Sequence, residues 1–400
     1  MMALRVVARL KFSVRIHNIC PLGGIQLTEN HGSPCYSTLA EVEGISAPRT
    51  VVQKPSLHTK DHIGLWYTIE PEVVKRLFGV GGLPKQYVKL CDTFGETSIM
   101  VREPALAVID LVKRSNLSMP PNKFLFYGRD GVGKTLSIAH VTHFLAEDGW
   151  VLLHIPWLPN WRRRFKEVNA STSNPGFFDH PVDASTWLQR FRHQNDDLLK
   201  KLQLTTSEQY TWSRRESTEA GSPLSMLIEH GINRSRYATD AVMALTTELK
   251  KCATEGRCKV ALVVDGINSF FCPVSRHKVD SVIVEPQRFM IHKAFMHFFN
   301  NDWKNGCILG SIDLRANSGE RRDSYLPRYL LQKAGWEALD PFVPIPVEDY
   351  DEREMASIID YYIDRDWLQN INGPLKLARS ELAALTGHNP YTIMRICSSL

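Results

Sequence analysis

The residues best suited to chemistry in this chain are consecutive. Gly128, Arg129, Asp130, Gly131, Val132, Gly133, Lys134 and Thr135 fit G-x-x-x-x-G-K-[ST] at every fixed position. In such a loop the glycines let backbone N–H groups curl around phosphate oxygens. The helix N-terminus that follows adds partial positive charge. Lys134 is expected to reach the β- and γ-phosphates, and Thr135 to ligate Mg²⁺. Asp265, which closes the apolar run 260–264, reads as the carboxylate that holds the same ion beside Thr135. Many hydrolysing proteins of this kind carry glutamate directly after that aspartate to orient the attacking water. Here Gly266 follows, with no side chain for the task. No D-x-x-G and N-K-x-D pair stands at the spacing of Ras-type GTPases either. Phosphate and metal ligands are supplied but no evident catalytic base, so the expectation is tight binding with slow or absent hydrolysis.

The elements that must position these residues are legible on either side of them. Phe124, Leu125, Phe126 and Tyr127 read as a buried strand. Leu136, Ile138, Ala139, Val141, Phe144 and Leu145 recur at helical spacing after the loop. A helix is expected over 102–115, a strand over 149–157, helices over 184–203 and 237–251, and a central strand over 258–265. A helix over 285–303 and a strand over 306–312 follow. Strands alternating with helices predict an α/β fold, a doubly wound parallel sheet with ligands at the carboxyl ends of its strands.

Around this domain, set at 100–346, the composition changes. Residues 46–99 begin with a stretch rich in Pro, Gly, Thr and His that lacks clear periodicity. They read as an extended arm wrapping a neighbour or the protein's own surface. Residues 347–400 predict a C-terminal helical lid. Asp351 and Glu354 form a capping pair for one helix, and Asn389-Pro390 opens the last. That last helix offers one Arg and no Lys, Gln or Asn, which favours a lid over the nucleotide against a DNA-reading helix.

The chain has 400 residues, 43% of them hydrophobic, and a net charge of +5. The content is ample for a full core, and the charge permits contact with nucleic acid without demanding it. No run approaches the length of a membrane span. The eight cysteines form no C-x-x-C pair and read as reduced, mostly buried thiols. His140 and His143 lack a third ligand nearby in sequence, so packing or solvent exposure is expected of them. Residues 1–45 begin with Arg5, Arg9, Lys11 and Arg15 among apolar residues, and no acid precedes Glu29. That is the composition of a mitochondrial targeting segment. Two loops supply candidate RNA contacts: Arg162, Arg163 and Arg164 in one, Arg315, Arg321 and Arg322 in the other. Arginines among Trp, Phe and Tyr suit backbone charge contacts and stacking on unpaired bases.

The segments MVREPAL, GKTLSIAHVTHF, WVLLHIP, DASTWL, YTWSRRESTEAGSPL, ATDAV, VVDGIN, SYLPRYLL and LDPFVPI occur in that order. In this the chain resembles the death-associated protein three family, nucleotide-binding proteins of the mitochondrial small ribosomal subunit. The run 210–224 is far more specific than the phosphate loop. The resemblance implies a P-loop NTPase fold of the AAA-like kind, a bound guanine nucleotide (GTP or GDP) with Mg, and residence in the mitochondrial matrix. It also implies contacts with small-subunit ribosomal RNA, neighbouring small-subunit proteins and the large subunit across the interface, together with a link to apoptosis. Gly128, Gly133, Lys134, Thr135 and Asp265 occupy matching positions, whereas Arg129, Asp130 and Val132 depart from the pattern. Guanine is carried by the resemblance alone. From the residues themselves, an ATPase that remodels a protein or nucleic-acid substrate is the competing reading.

Overall fold

Alternation inside each strand builds the core from both sides. In a computed structural model, which describes residues 44–279, 282–317, 324–368 and 375–398, five strands form one parallel sheet. They are β1 (Asn122–Tyr127), β2 (Trp150–Ile155), β3 (Lys259–Val264), β4 (Gly306–Ser311) and β5 (Val343–Pro346), in the spatial order β5-β1-β4-β3-β2. Strand β4 therefore lies between the strand that enters the phosphate loop and the strand that ends at Asp265. Leu125, Val151, Leu153, Val260, Leu262 and Ile308 face one core. Phe124, Phe126, Leu152, Ala261, Val263 and Leu309 face the other. Near-continuous apolar strands of this kind are what a sheet buried on both faces requires.

Helices α1 (Glu103–Arg114) and α2 (Lys134–Glu147) cover the second face. Helices α3 (Pro181–Leu202), α4 (Leu224–Asn233), α5 (Ala238–Thr254), α6 (Met290–Met296) and α7 (Pro327–Leu339) cover the first. The segment expected to be one helix over 285–303 is shorter. Single 3₁₀ turns, Pro286–Arg288 and His297–Phe299, flank α6, and a proline at the start of the first turn limits the helix there. The C-terminal region forms α8 (Glu352–Asp364), α9 (Leu375–Thr386) and α10 (Pro390–Cys397). Asp351 and Glu354 make the reciprocal capping box at α8, and Asn389 accepts from the Thr392 N–H at α10.

Residues 46–99 are not the extended arm that their composition suggests. They carry the helices Pro71–Phe78 and Lys85–Phe94, and the antiparallel strand pair Trp66–Thr68 with Ser98–Met100. Tyr67, Ile69, Leu77 and Phe78 enter the core beneath α1 and α2. Trp66 and Leu90 form a third core with the C-terminal helices, where Trp66 stacks on Tyr361 at 4.1 Å and 11°. Val73, Val74, Leu77 and Phe78 do have helical spacing. The helix has only eight residues and opens on a proline, so it looks like a turn when read locally. The targeting segment lies outside the described residues apart from its last two.

No helix among the described residues is long and apolar enough to cross a membrane. Five of the cysteines (252, 258, 272, 307 and 397) are buried, Cys91 is half-buried, and all six are free thiols.

Candidate nucleotide-binding site

Strand β1 delivers the chain into a loop whose turns only glycine permits. Gly128 has φ 153°, and a Cβ there would lie 2.1 Å from the carbonyl oxygen of Val347, which continues from β5. Gly131 has φ 84°, and its Cβ would meet Asn389 and Tyr391 of the C-terminal region at 2.6 and 2.8 Å. Any side chain at either position collides with another part of the fold. Gly133 then caps α2 in the left-handed conformation, so the first N–H groups of the helix face the loop.

The charged groups lie where the sequence predicts, joined by one that it does not single out. Lys134 is 5% exposed. Its Nζ donates to the carbonyls of Gly128 and Arg129 at 3.0 and 2.8 Å, and pairs with Asp313 at 3.2 Å. Thr135 Oγ1 donates to Asp265 Oδ2 at 2.7 Å, and Ser311 donates to the other oxygen of Asp265. Burial pushes the Asp265 carboxyl up to about 6, against the hydrogen bonds from Ser311 and Thr135 that favour its ionised form. Ser311 and Asp313 stand at and just beyond the end of β4, the inserted strand. Sequence reading missed them because β4 has no motif of its own. The available signal was only that a third strand must end beside the loop.

Hard oxygen donors from Thr135 and Asp265 beside a buried ammonium are a donor set suited to a Mg²⁺–phosphate group. Among the described residues lining the cleft, the carboxylates are Asp130, Asp265 and Asp313. Asp130 is held by Arg315 Nε at 2.7 Å, and Asp313 by Lys134. Gly266 is closed in as well. A Cβ there would lie 3.1 Å from Pro159 and 3.3 Å from Ala316 and Trp157, and φ is 76°, so a side chain at this position is crowded and strained.

The cleft above the loop has a volume of about 960 Å³. Its floor is the loop with Asp265 and Asp313; its walls come from residues 80–87, Leu90, Cys91, Phe94, Trp157 and the arginine loop; its roof is Tyr350, Tyr361, Tyr362 and Tyr391 of the C-terminal region. That region is bolted to the loop. Tyr391 N–H donates to the Gly131 carbonyl at 3.1 Å, and Asn389 Nδ2 to the Asp130 carbonyl at 3.0 Å. Arg102 donates to the Val132 carbonyl at 2.7 Å while pairing with Glu354 of α8 at 2.9 Å, both side chains buried. Arg102 is a third site residue that sequence reading missed, since its partners stand 30 and 252 residues away.

The candidate RNA contacts divide. Arg162 is 1% exposed and donates to Ser269 Oγ at 3.1 Å, to the Ala316 carbonyl at 2.6 Å and to the Val274 carbonyl. It pins three loops together and is not a surface cation. Arg163 donates to the carbonyls of Arg315 and Asn317, and Arg315 turns to Asp130 with its guanidinium 5.9 Å from the Tyr391 ring. Both belong to the cleft wall. Arg164 is exposed at the cleft edge. Arg321 and Arg322 lie outside the described residues.

His140 and His143 are buried on the outer face of α2. His140 Nε2 lies 2.9 Å from His58 Nδ1, a partner 82 residues upstream. Burial holds both α2 histidines below the usual range, His143 at about 4. Among the described residues no group of three or more His, Cys, Asp or Glu is arranged to hold a metal.

The family model described as mitochondrial ribosomal death-associated protein 3 matches residues 99–396. The chain belongs to this family. It is 38% identical over 357 residues to small ribosomal subunit protein mS29 of Mus musculus, covering 88% of this chain and 90% of the relative. To mS29 of Bos taurus it is 36% identical over 352 residues, covering 88% of each. Membership of a mitochondrial ribosomal family makes this a mitochondrial protein, as the basic N-terminus suggests. A chain of the E. coli MS115-1 HORMA:CdnC:Trip13 complex is similar over 82% of both chains at 12% identity and a TM-score of 0.30, a likeness that carries no argument.

Proposed function

We propose that the chain is a structural component of the mitochondrial small ribosomal subunit, built on a P-loop NTPase domain of the AAA-like kind that holds a guanine nucleotide with Mg²⁺. The ribosomal part is supported by family membership and by the two mS29 relatives across nearly the full chain. The nucleotide part is supported by one arrangement above all: Lys134, Thr135 and Asp265 converge at the phosphate loop while Gly266 is walled in. Bound there, the ion would screen phosphate charge. Thr135 and Asp265 would hold it, Lys134 would exchange its loop carbonyls for phosphate oxygens, and the loop N–H groups would orient the chain of phosphates.

Two features favour retention over turnover. The carboxylates at the cleft floor are already engaged, and the C-terminal helices are fastened to the loop they cover. A remodelling ATPase must open and close such a lid in each cycle, and it needs a group that deprotonates water. The preference for guanine, the contacts with ribosomal RNA, neighbouring proteins and the large subunit, and the link to apoptosis rest on the family. The deciding test is the nucleotide that co-purifies with the protein from mitochondria, with hydrolysis followed in the same sample. A stoichiometric guanine nucleotide with negligible turnover is expected. An empty site, or turnover at the rate of a motor ATPase, would overturn the reading. Residues 1–28 are proposed as the import signal, and their deletion should leave the protein in the cytosol.

A further inference from the structure

Exposed arginines also stand outside the two loops singled out in sequence. Residues 210–218 form a hairpin in which Tyr210–Thr211 pairs antiparallel with Ser217–Thr218. Its turn is closed by Trp212 N–H donating to the Glu216 carbonyl at 2.9 Å, and Trp212 Nε1 donates to Thr218 Oγ1 at 3.0 Å. Arg214 and Arg215 stand exposed at the tip. The hairpin is fixed to the body by a pile of flat rings. Tyr210 stacks with Trp212 at 6.0 Å and 18°, Trp212 with His230 at 4.7 Å and 22°, and His230 with Tyr237 at 5.8 Å and 22°. Arg236, itself exposed, places its guanidinium 5.7 Å from the Tyr237 ring centre and so ends the pile with a planar cation. Arg234 pairs with Glu216 at 3.2 Å and joins the end of α4 to the hairpin. Glu216 is the single acidic residue within 210–218 and 233–237, against four arginines.

We infer that the hairpin tip and the capped ring pile form a contact face for single-stranded RNA, such as the loop or end of a folded RNA. Arg214 and Arg215 take phosphates, and a base stacks on the Arg236 guanidinium. Two exposed cations on a closed hairpin and a third on the turn stacked against it lower the entropy lost on binding. A planar cation over a ring is a platform for an unpaired base, which an acidic protein surface does not need. This names the RNA surface of the ribosomal reading and therefore rests on it.

The test compares full-length protein with the variant Arg214→Glu, Arg215→Glu, Arg236→Glu, and with a control of equal charge change, Lys60→Glu, Lys89→Glu, Lys304→Glu. The probe is a fluorescein-labelled single-stranded RNA of mixed sequence, titrated across salt concentrations. The arginine variant should bind roughly tenfold or more weakly, with its salt slope reduced by about 1.4 because each of the two lost phosphate contacts removes about 0.7. Arg236→Lys keeps the charge and removes the plane, and should weaken binding about threefold. RNA binding by the arginine variant equal to that of the control overturns the proposal, and Arg236→Lys equal to wild type overturns the stacking. Co-sedimentation with the mitochondrial small subunit separates the remaining cases. If wild type does not co-sediment, the ribosomal reading fails. If wild type co-sediments and the arginine variant does not, although both bind the RNA alike, the face meets a protein instead.

Discussion

Lys134 and Arg162 are both buried cations, 28 residues apart in sequence, and they are built for opposite purposes. Lys134 is held by two carbonyls of its own loop and by the carboxylate of Asp313, all within a cleft that opens to solvent. These are partners that an incoming phosphate can replace. Arg162 is held by one hydroxyl and two carbonyls from two other segments, 269–274 and 314–316, and burial lowers its pKa with no carboxylate to offset the effect. Such a group fastens loops and has no exchangeable partner. A buried cation is therefore informative only together with what satisfies it. The same comparison explains why the basic loop at 160–166 looks like an RNA contact in sequence and acts as a fastener in the fold.

The largest effect that tests this contrast is on stability. Arg162→Met should leave the Ser269 hydroxyl and the Val274 and Ala316 carbonyls without their donor, costing about 3 kcal/mol or more in urea unfolding. Nucleotide content per folded molecule should change little. A loss below about 1 kcal/mol would mean that these acceptors find water and that the loop is not fastened here.

Lys134→Ala should do the reverse. Removing its charge-assisted contact should weaken nucleotide binding by roughly 1.5–3 kcal/mol, at least tenfold, measured by calorimetry or by nucleotide content. Thermal stability should fall only through the lost ligand, so adding excess nucleotide should restore part of it. Undiminished occupancy would show that the backbone cradle alone suffices.

A smaller effect comes from the histidines behind the loop helix. His140 and His143 are buried with His58, near His62, Tyr67, Lys113, Arg76 and Glu147, and burial keeps them neutral. Their folded pKa lies below the unfolded value of about 6.5, so the unfolded chain binds more protons in between. The stability they contribute is present above about pH 6.5 and is lost as pH falls toward about 4, the value for His143. Urea midpoints should drop between neutral and mildly acidic pH, and His143→Gln should flatten the drop. A midpoint that holds steady over that range would mean that the cluster hydrates before it charges.

The smallest effect is expected at Arg164, the exposed member of the same basic run. Arg164→Ala should change stability by no more than about 0.5 kcal/mol. A larger loss would show that the fastening extends beyond Arg162 and Arg163.

Much of the site was legible because its parts are covalently close. The phosphate loop, the strand before it and the helix after it occupy one stretch, and local sterics dictate glycine there. The run 260–265 likewise declares a buried strand that ends in a carboxylate. The caps Asp351 and Asn389 were readable for the same reason, since a cap bonds two or three residues along the chain. Arg102, Ser311 and Asp313 were not legible. Each acquires its role from a neighbour brought close only by sheet order or by docking of the C-terminal helices.

By itself, then, the sequence determined a G-x-x-x-x-G-K-T loop between a strand and a helix, a strand ending in Asp265 with no glutamate after it, an alternating α/β order and a family. Hydrophobic period and turn chemistry act over a few residues, and those features need no more. Only the tertiary structure decided that residues 46–99 belong to two cores, that Arg162 is sealed inside, and that α10 sits on Gly131. It also decided that Arg214, Arg215 and Arg236 stand exposed. These depend on which apolar surfaces meet across long sequence separations, and burial, which converts the same arginine from ligand contact to fastener, is a property of that meeting alone.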